Sequence, residues 1–286
     1  LSKLSEEHLN GRTFWHEYNS LRLADSIETL EGPDGEFVNL NLTYAVRDGI
    51  VCHCGEVDEE YLIPRGDVLD LNTIIRADHV SPYTWEACVV KISDKIAYLG
   101  RDIEDARTLK VLDAQKIQQL NQLLSKHIGD THYCTANTVL IKTFIKDLCT
   151  SSSPSNGIKL SPTIFSLMKE IKLFCYENIY THEVLERYKK FVTHVINALF
   201  DVLQKIVAQF NLNGKPGKPI FCPKLEKDFS EFLLCYCQNA NHKNYSNNLK
   251  IYDLSRTTDQ IQACLDFLSG MTDQYALKHF KEIISY

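Results

Sequence analysis

The residue order predicts an all-α fold, an irregular bundle of many helices with a helical C-terminal extension. Three observations carry this. Apolar residues recur at spacings of three and four through most of the longer segments. Helix-boundary residues stand where such runs start and stop, as in Ser161-Pro162 and in Gly270 followed by Thr272. No alternating strand ladder and no internal repeat is evident.

In chain order, the start Leu1-Ser2-Lys3-Leu4 is polar and helical in flavour, and 18–30 carries apolar residues at Leu21, Leu23, Ala24, Ile27 and Leu30. A Gly-Pro-Asp-Gly turn follows at 32–35, then a short helix over about 41–53 with Gly55 as its stop. Residues 56–82 read as a loop, with one more short helix over 67–75. The clearest helix is 86–106, and helices follow over 113–128 and 137–149. After the Ser-rich loop 150–158, Ser161 caps a helix running to about 178. A long helix over 184–210 is ended by the Gly/Pro/Lys stretch 213–219. The last helices cover 229–239, 257–270 and 273–285. We divide the chain at the 150–158 loop, into 1–150 and 151–286.

With 286 residues the chain is long enough to bury a sizeable core. A net charge of −6 argues against a broad phosphate-binding surface, and a nucleic-acid role finds no support beyond the modest basic loop Lys215, Lys218 and Lys224. No run of about 18 apolar residues occurs, so no membrane span is expected, and no signal peptide is visible. The ten cysteines are scattered, Cys88, Cys149, Cys175, Cys235 and Cys264 among them in apolar stretches. They read as reduced, mostly buried thiols of a cytoplasmic protein.

Set at roughly 100° per residue, the 86–106 helix is sharply two-sided. Val89, Ile92, Ile96, Leu99 and Ile103 form one stripe. Asp94, Tyr98, Arg101, Asp102 and Asp105 form the other, with Lys95 at its border. Carboxylates suit hard cations, and Lys, Arg and Tyr suit phosphate oxygens. A solvated polar face would have the same composition.

The segment itself, E-A-C-V-V-K-I-S-D-K-I-A-Y-L-G-R-D-I-E-D-A, resembles the signature helix of the deoxyguanosinetriphosphate triphosphohydrolase-like proteins of the HD superfamily. The G-M-T-D-Q-Y-A run at 270–276 resembles another motif of that family, and Trp15-His16-Glu17-Tyr18-Asn19-Ser20 is similar to its H-(E/N)-x-x-S segment. Leu40-Asn41-Leu42-Thr43-Tyr44, Gly49-Ile50, 158–162 and 174–180 follow in the same order. The resemblance implies an HD-type bundle whose C-terminal two-thirds this chain supplies. It implies hydrolysis of a deoxynucleoside triphosphate to deoxynucleoside and tripolyphosphate, in a homo-oligomer. Asp94 would be a metal ligand, Lys95 would reach the phosphates, and Tyr98 and Asp102 would face the sugar. His16 would touch phosphate or move a proton, and Tyr188 would lie against base or sugar. The cofactor would be a divalent metal, Mg²⁺, Mn²⁺ or Fe²⁺.

The family's metal site also takes an upstream His and an adjacent His-Asp pair. None of the ten histidines precedes an Asp, and the family's G-H-x-G-E segment is missing. One carboxylate holds a metal weakly, so these residues by themselves are expected to be inactive. A non-catalytic nucleotide-binding homologue is the first alternative. A zinc-binding module is the second: Cys52-His53-Cys54, or Cys235 and Cys237 with Cys222 and His242, supply soft ligands, though not at the C-x₂-C spacing of common sites. No local nucleophile signature supports a Cys/His hydrolase.

Overall fold

The computed structural model describes residues 1–54, 58–74, 80–129, 137–210, 222–240, 242–245 and 248–285. The fold is predominantly α, with eleven α-helices among the described residues. Two compact units form, one from Leu1–Leu42 with Lys190–Tyr286, the other from Thr43–Lys189. The first unit is thus assembled from the two ends of the chain.

In the first unit, α1 (Ser2–His8) and α2 (His16–Ser26) precede a hairpin of β1 (Thr29–Glu31) and β2 (Phe37–Asn39). This hairpin corrects the strand-free expectation, and it begins where the helix over 18–30 was expected to continue. The Gly-Pro-Asp-Gly run supplies its turn: Gly35 takes φ +74 and Gly32 donates to Glu36 O at 2.7 Å. Phe37 donates its amide to Asn244 O at 2.8 Å and stacks on Tyr245.

The same unit takes the later turns of α8 (Glu183–Gln209), then α9 (Pro223–Tyr236), α10 (Thr257–Ser269) and α11 (Asp273–Ile284). Leu199, Leu203, Leu225, Phe229, Leu233, Ala263 and Cys264 are fully enclosed in its core. Burial of each large side chain contributes about 1.5–3 kcal/mol before entropy is counted. Helix α8 is long and apolar enough to cross a membrane by length and composition. Its Val195, Leu199, Leu203 and Ile206 are instead buried in this core. Gly270 ends α10, and Thr272 caps α11 by accepting the Tyr275 amide at 3.2 Å.

The second unit contains α3 (Tyr44–Cys52), a 3-10 turn at Leu71–Thr73, α4 (Trp85–Thr108), α5 (Ala114–Ile128), α6 (Asn137–Ser151) and α7 (Pro162–Cys175). The short helix expected over 67–75 shrinks to that turn, held by Asp70 accepting the Asn72 amide. Caps fall where short polar side chains stand: Thr84 for α4, Asp113 for α5 and Ser161, with Pro162 behind it, for α7. Helix α7 was expected to run unbroken to 178. It widens instead into a π-helical turn at Tyr176–Tyr180. The core joins Leu99 and Ile103 of α4 to Leu120, Leu124, Phe144, Leu167, Met168 and Ile171.

Gly55, Lys215 and Lys218, singled out above, lie outside the described residues. The expectation of buried thiols holds for Cys88, Cys175, Cys235 and Cys264, whereas Cys149 is exposed.

Candidate functional site

Helix α4 carries the candidate site, and its division between core and surface differs from the helical-wheel reading. Cys88, Ile92, Ile96, Leu99, Ile103 and Ala106 are buried, but Val89 is 46% exposed. Lys91 and Lys95 take its place on the inner side. A lysine side chain enters a core along its methylene stem when its ammonium finds a carboxylate.

The carboxylates come from the segment after α3. Lys91 Nζ lies 3.3 Å from Glu59 Oε1. Lys95 Nζ lies 3.8 Å from Asp58 Oδ1, and Lys172 Nζ on α7 lies 2.9 Å from the same oxygen. Among the described residues, Lys91 thus pairs with Glu59, and Lys95 and Lys172 share Asp58. Burial lowers the Lys95 pKa from its ordinary value, against the pull of Asp58 and Glu59. Lys95 was expected at the border of a solvated face. Its side chain is only 8% exposed, because its partner is reached inward.

Asp94 is exposed on the outer side of α4, Tyr98 half-buried below it and Asp102 half-buried one turn further on. Asp102 accepts the phenolic O–H of Tyr180, which the π-helical turn brings to it. Burial, reinforced by the Asp102 carboxylate, raises the Tyr180 pKa far above the ordinary tyrosine value. Burial also pushes the neighbouring Cys175 thiol up to about 12, with Asp102 adding to it. Asp102 is thus tied to a neutral phenol inside the protein while it borders the polar face.

Helix α3 is fixed against this helix by Asp48, which has no exposed surface. Its carboxylate takes the Arg65 guanidinium, the Tyr83 amide at 2.7 Å and the Cys52 thiol at 3.7 Å. Arg65 also donates to Tyr44 Oη and Ser81 O, each at 2.7 Å. Burial first and Asp48 second push the Cys52 thiol up to about 12. Residues His53 and Cys54, just past α3, come close to Asp94. The ligand atoms of the three lie within 4.8 Å of one another.

His16 opens α2 in the first unit, its side chain 68% exposed and Nδ1 3.1 Å from Glu17 Oε2. Tyr188, on α8, is 55% exposed. The cysteines proposed for a second zinc site are packed thiols. Burial pushes Cys235 up to about 11 and Cys237 up to about 12, and raises Cys222. Among the described residues they and His242 do not converge on a common metal position.

Sequence reasoning missed Asp48, Arg65, Asp58 and Glu59. All are ordinary surface residue types by composition, and only the two lysines on the apolar side of α4 hinted at buried carboxylates.

No family model matches the chain. It is similar to a deoxyguanosinetriphosphate triphosphohydrolase-like protein of Caldanaerobacter subterraneus subsp. tengcongensis, at 27% identity over 94% of this chain and 58% of that one. A protein of the same name from Desulfatibacillum aliphaticivorans is 29% identical over 70% of this chain and 50% of its own length. One from Rickettsia bellii is 24% identical over 100% of this chain and 70% of its own. The chain spans 58% and 50% of the length of the first two of these curated relatives. Over most of its length, then, this chain resembles the deoxyguanosinetriphosphate triphosphohydrolase-like proteins.

Proposed function

We propose that the chain contributes the nucleotide-facing helix of a metal-dependent hydrolase that cleaves a deoxynucleoside triphosphate, dGTP foremost, to deoxynucleoside and tripolyphosphate. The carrying observation is α4 itself, which places Asp94, Tyr98 and Asp102 at four-residue steps on one helix that also carries the buried Lys91 and Lys95. The similarity to relatives of that name supports it.

In this reading the Tyr98 ring packs against the deoxyribose, and Asp102 accepts a sugar hydroxyl. Lys95 meets a phosphate oxygen by exchanging its Asp58 partner for it. Phosphate binding and the protonated lysine then favour one another. Asp94 would be a ligand of a divalent metal, whose chemistry is to neutralise triphosphate charge and activate water. Mg²⁺ is commonly held by one or two carboxylates together with substrate phosphates and water, so Asp94 would hold it only weakly without the triphosphate. The proposed roles of His16, in phosphate contact or proton transfer, and of Tyr188, at base or sugar, rest on the resemblance of their segments and on no distance. A homo-oligomeric, cytoplasmic protein is the setting we expect.

We further propose that these 286 residues by themselves bind nucleotide without turnover, since no histidine is followed by an aspartate anywhere among them. Calorimetric titration with dGTP and Mn²⁺, with product analysis by ion chromatography, tests both parts. Saturable binding that is lost in Asp102→Ala, and no tripolyphosphate, is the expected result. Absence of binding overturns the nucleotide site, and steady release of tripolyphosphate overturns the inactivity.

A further inference from the structure

We propose that His53, Cys54 and Asp94 form a site for a thiophilic, borderline divalent ion of the zinc class. The three donors are an imidazole nitrogen, a thiol sulfur and a carboxylate oxygen, and all lie within 4.8 Å of one another. A tetrahedral ion with N, S and O ligands at about 2.0–2.3 Å holds its donors at spacings of this order.

A second observation concerns the imidazole. His53 Nδ1 lies 2.7 Å from the Ile50 carbonyl oxygen. A carbonyl only accepts, so Nδ1 must carry the proton and donate it, which leaves the Nε2 lone pair to accept from the Cys54 thiol or to bind an ion. That nitrogen lies 3.0 Å from Cys54 Sγ. A backbone carbonyl fixing one ring nitrogen so that the other faces the metal position is the usual outer support of a metal-binding histidine. The neighbouring Cys52 is excluded as a ligand, since its thiol is fully buried and bonded to Asp48.

The scaffold is rigid on both sides. The buried Asp48–Arg65 pair and the Tyr83 amide hold α3, and the buried stripe of α4 holds Asp94. The soft sulfur donor selects Zn²⁺ or Co²⁺ over Mg²⁺. On binding, the Cys54 thiol releases its proton to solvent, and the resulting thiolate donates to the ion. The place of Asp94 rests on the proposed function above, whereas its grouping with His53 and Cys54 comes from geometry.

The test is titration of the 286-residue chain with Co²⁺, followed by its absorption spectrum. We expect one ion per chain, a sulfur-to-cobalt charge-transfer band in the near ultraviolet, and displacement by Zn²⁺. Cys54→Ser should abolish the band and weaken binding roughly ten-fold or more, and Asp94→Asn should weaken binding while keeping the band. Cys149→Ser, at an exposed thiol, should change neither. Circular dichroism confirms that each variant is folded. No charge-transfer band, or a band that survives Cys54→Ser, overturns the site. The nucleotide reading fails separately: a thiolate band in a chain that binds no dGTP keeps this site and removes that function. Mn²⁺ binding sensitive to Asp94→Asn alone, with no cobalt–thiolate band, does the reverse.

Discussion

Lys95 and Lys172, from two different helices, share one oxygen of Asp58, at 3.8 and 2.9 Å. In the proposed nucleotide reading, a phosphate that meets Lys95 competes with that carboxylate. Asp58→Asn should therefore tighten binding of inorganic tripolyphosphate by about 1 kcal/mol, roughly five-fold. Isothermal titration of wild type and variant checks this, and equal affinities would show that the lysines do not meet the phosphates.

Removing Lys95 itself separates charge from packing. Lys95→Met keeps the stem and discards an ammonium whose burial is unfavourable. Tripolyphosphate affinity should fall about ten-fold or more, while the urea midpoint changes by the equivalent of about 1 kcal/mol or less. In the wild type the pKa is lowered on folding, so the unfolded chain binds more protons just below the ordinary lysine pKa. The stability contribution of this group therefore rises with pH through that window, and the rise should vanish in Lys95→Met.

Tyr180 gives the opposite pH dependence. Its folded pKa is raised by burial and by Asp102. Its contribution is present below the ordinary tyrosine pKa and is lost as pH rises past it, because the unfolded chain ionises first. Tyr180→Phe should flatten that alkaline decline and cost about 1–3 kcal/mol at neutral pH, since it leaves Asp102 without its buried donor. Urea unfolding at neutral and alkaline pH measures both effects.

In the first unit, Asp266 accepts from Arg22 Nε at 2.9 Å, Tyr252 Oη at 2.6 Å and Gln262 Nε2 at 2.7 Å, with 1% of its surface exposed. Asp266→Asn leaves Arg22 without its countercharge. We expect a loss of about 3–5 kcal/mol in thermal or urea unfolding, and an unchanged transition would mean that Arg22 finds another partner.

Gly157 closes the turn that begins at Ser153, next to the bridge between Leu62 and Ile158. Its φ is +78, and a Cβ there would meet Leu62 O at 2.8 Å. Gly157→Ala should destabilise the protein by about 1–3 kcal/mol, measured by the same denaturant titration.

The positions and extents of most helices were legible in the sequence, because helical periodicity and caps such as Thr84, Ser161 and Thr272 are local signals. So was the polar face of α4 with Asp94, Tyr98 and Asp102, through helical periodicity at 100° per residue. The hairpin at Thr29–Glu31 and Phe37–Asn39 was not, since its strands have three residues each and gain support from Asn244 and Tyr245 far along the chain. Nor was the inward course of Lys91 and Lys95, which is favourable only because Glu59, Asp58 and the lysine stems meet in space. The joining of the chain's two ends in one core, and the approach of His53 and Cys54 to Asp94, were likewise decided by tertiary structure. Periodicity reports which face of a segment is apolar. Which distant segment covers that face, and which buried charge finds its partner, depends on packing and desolvation across the whole fold.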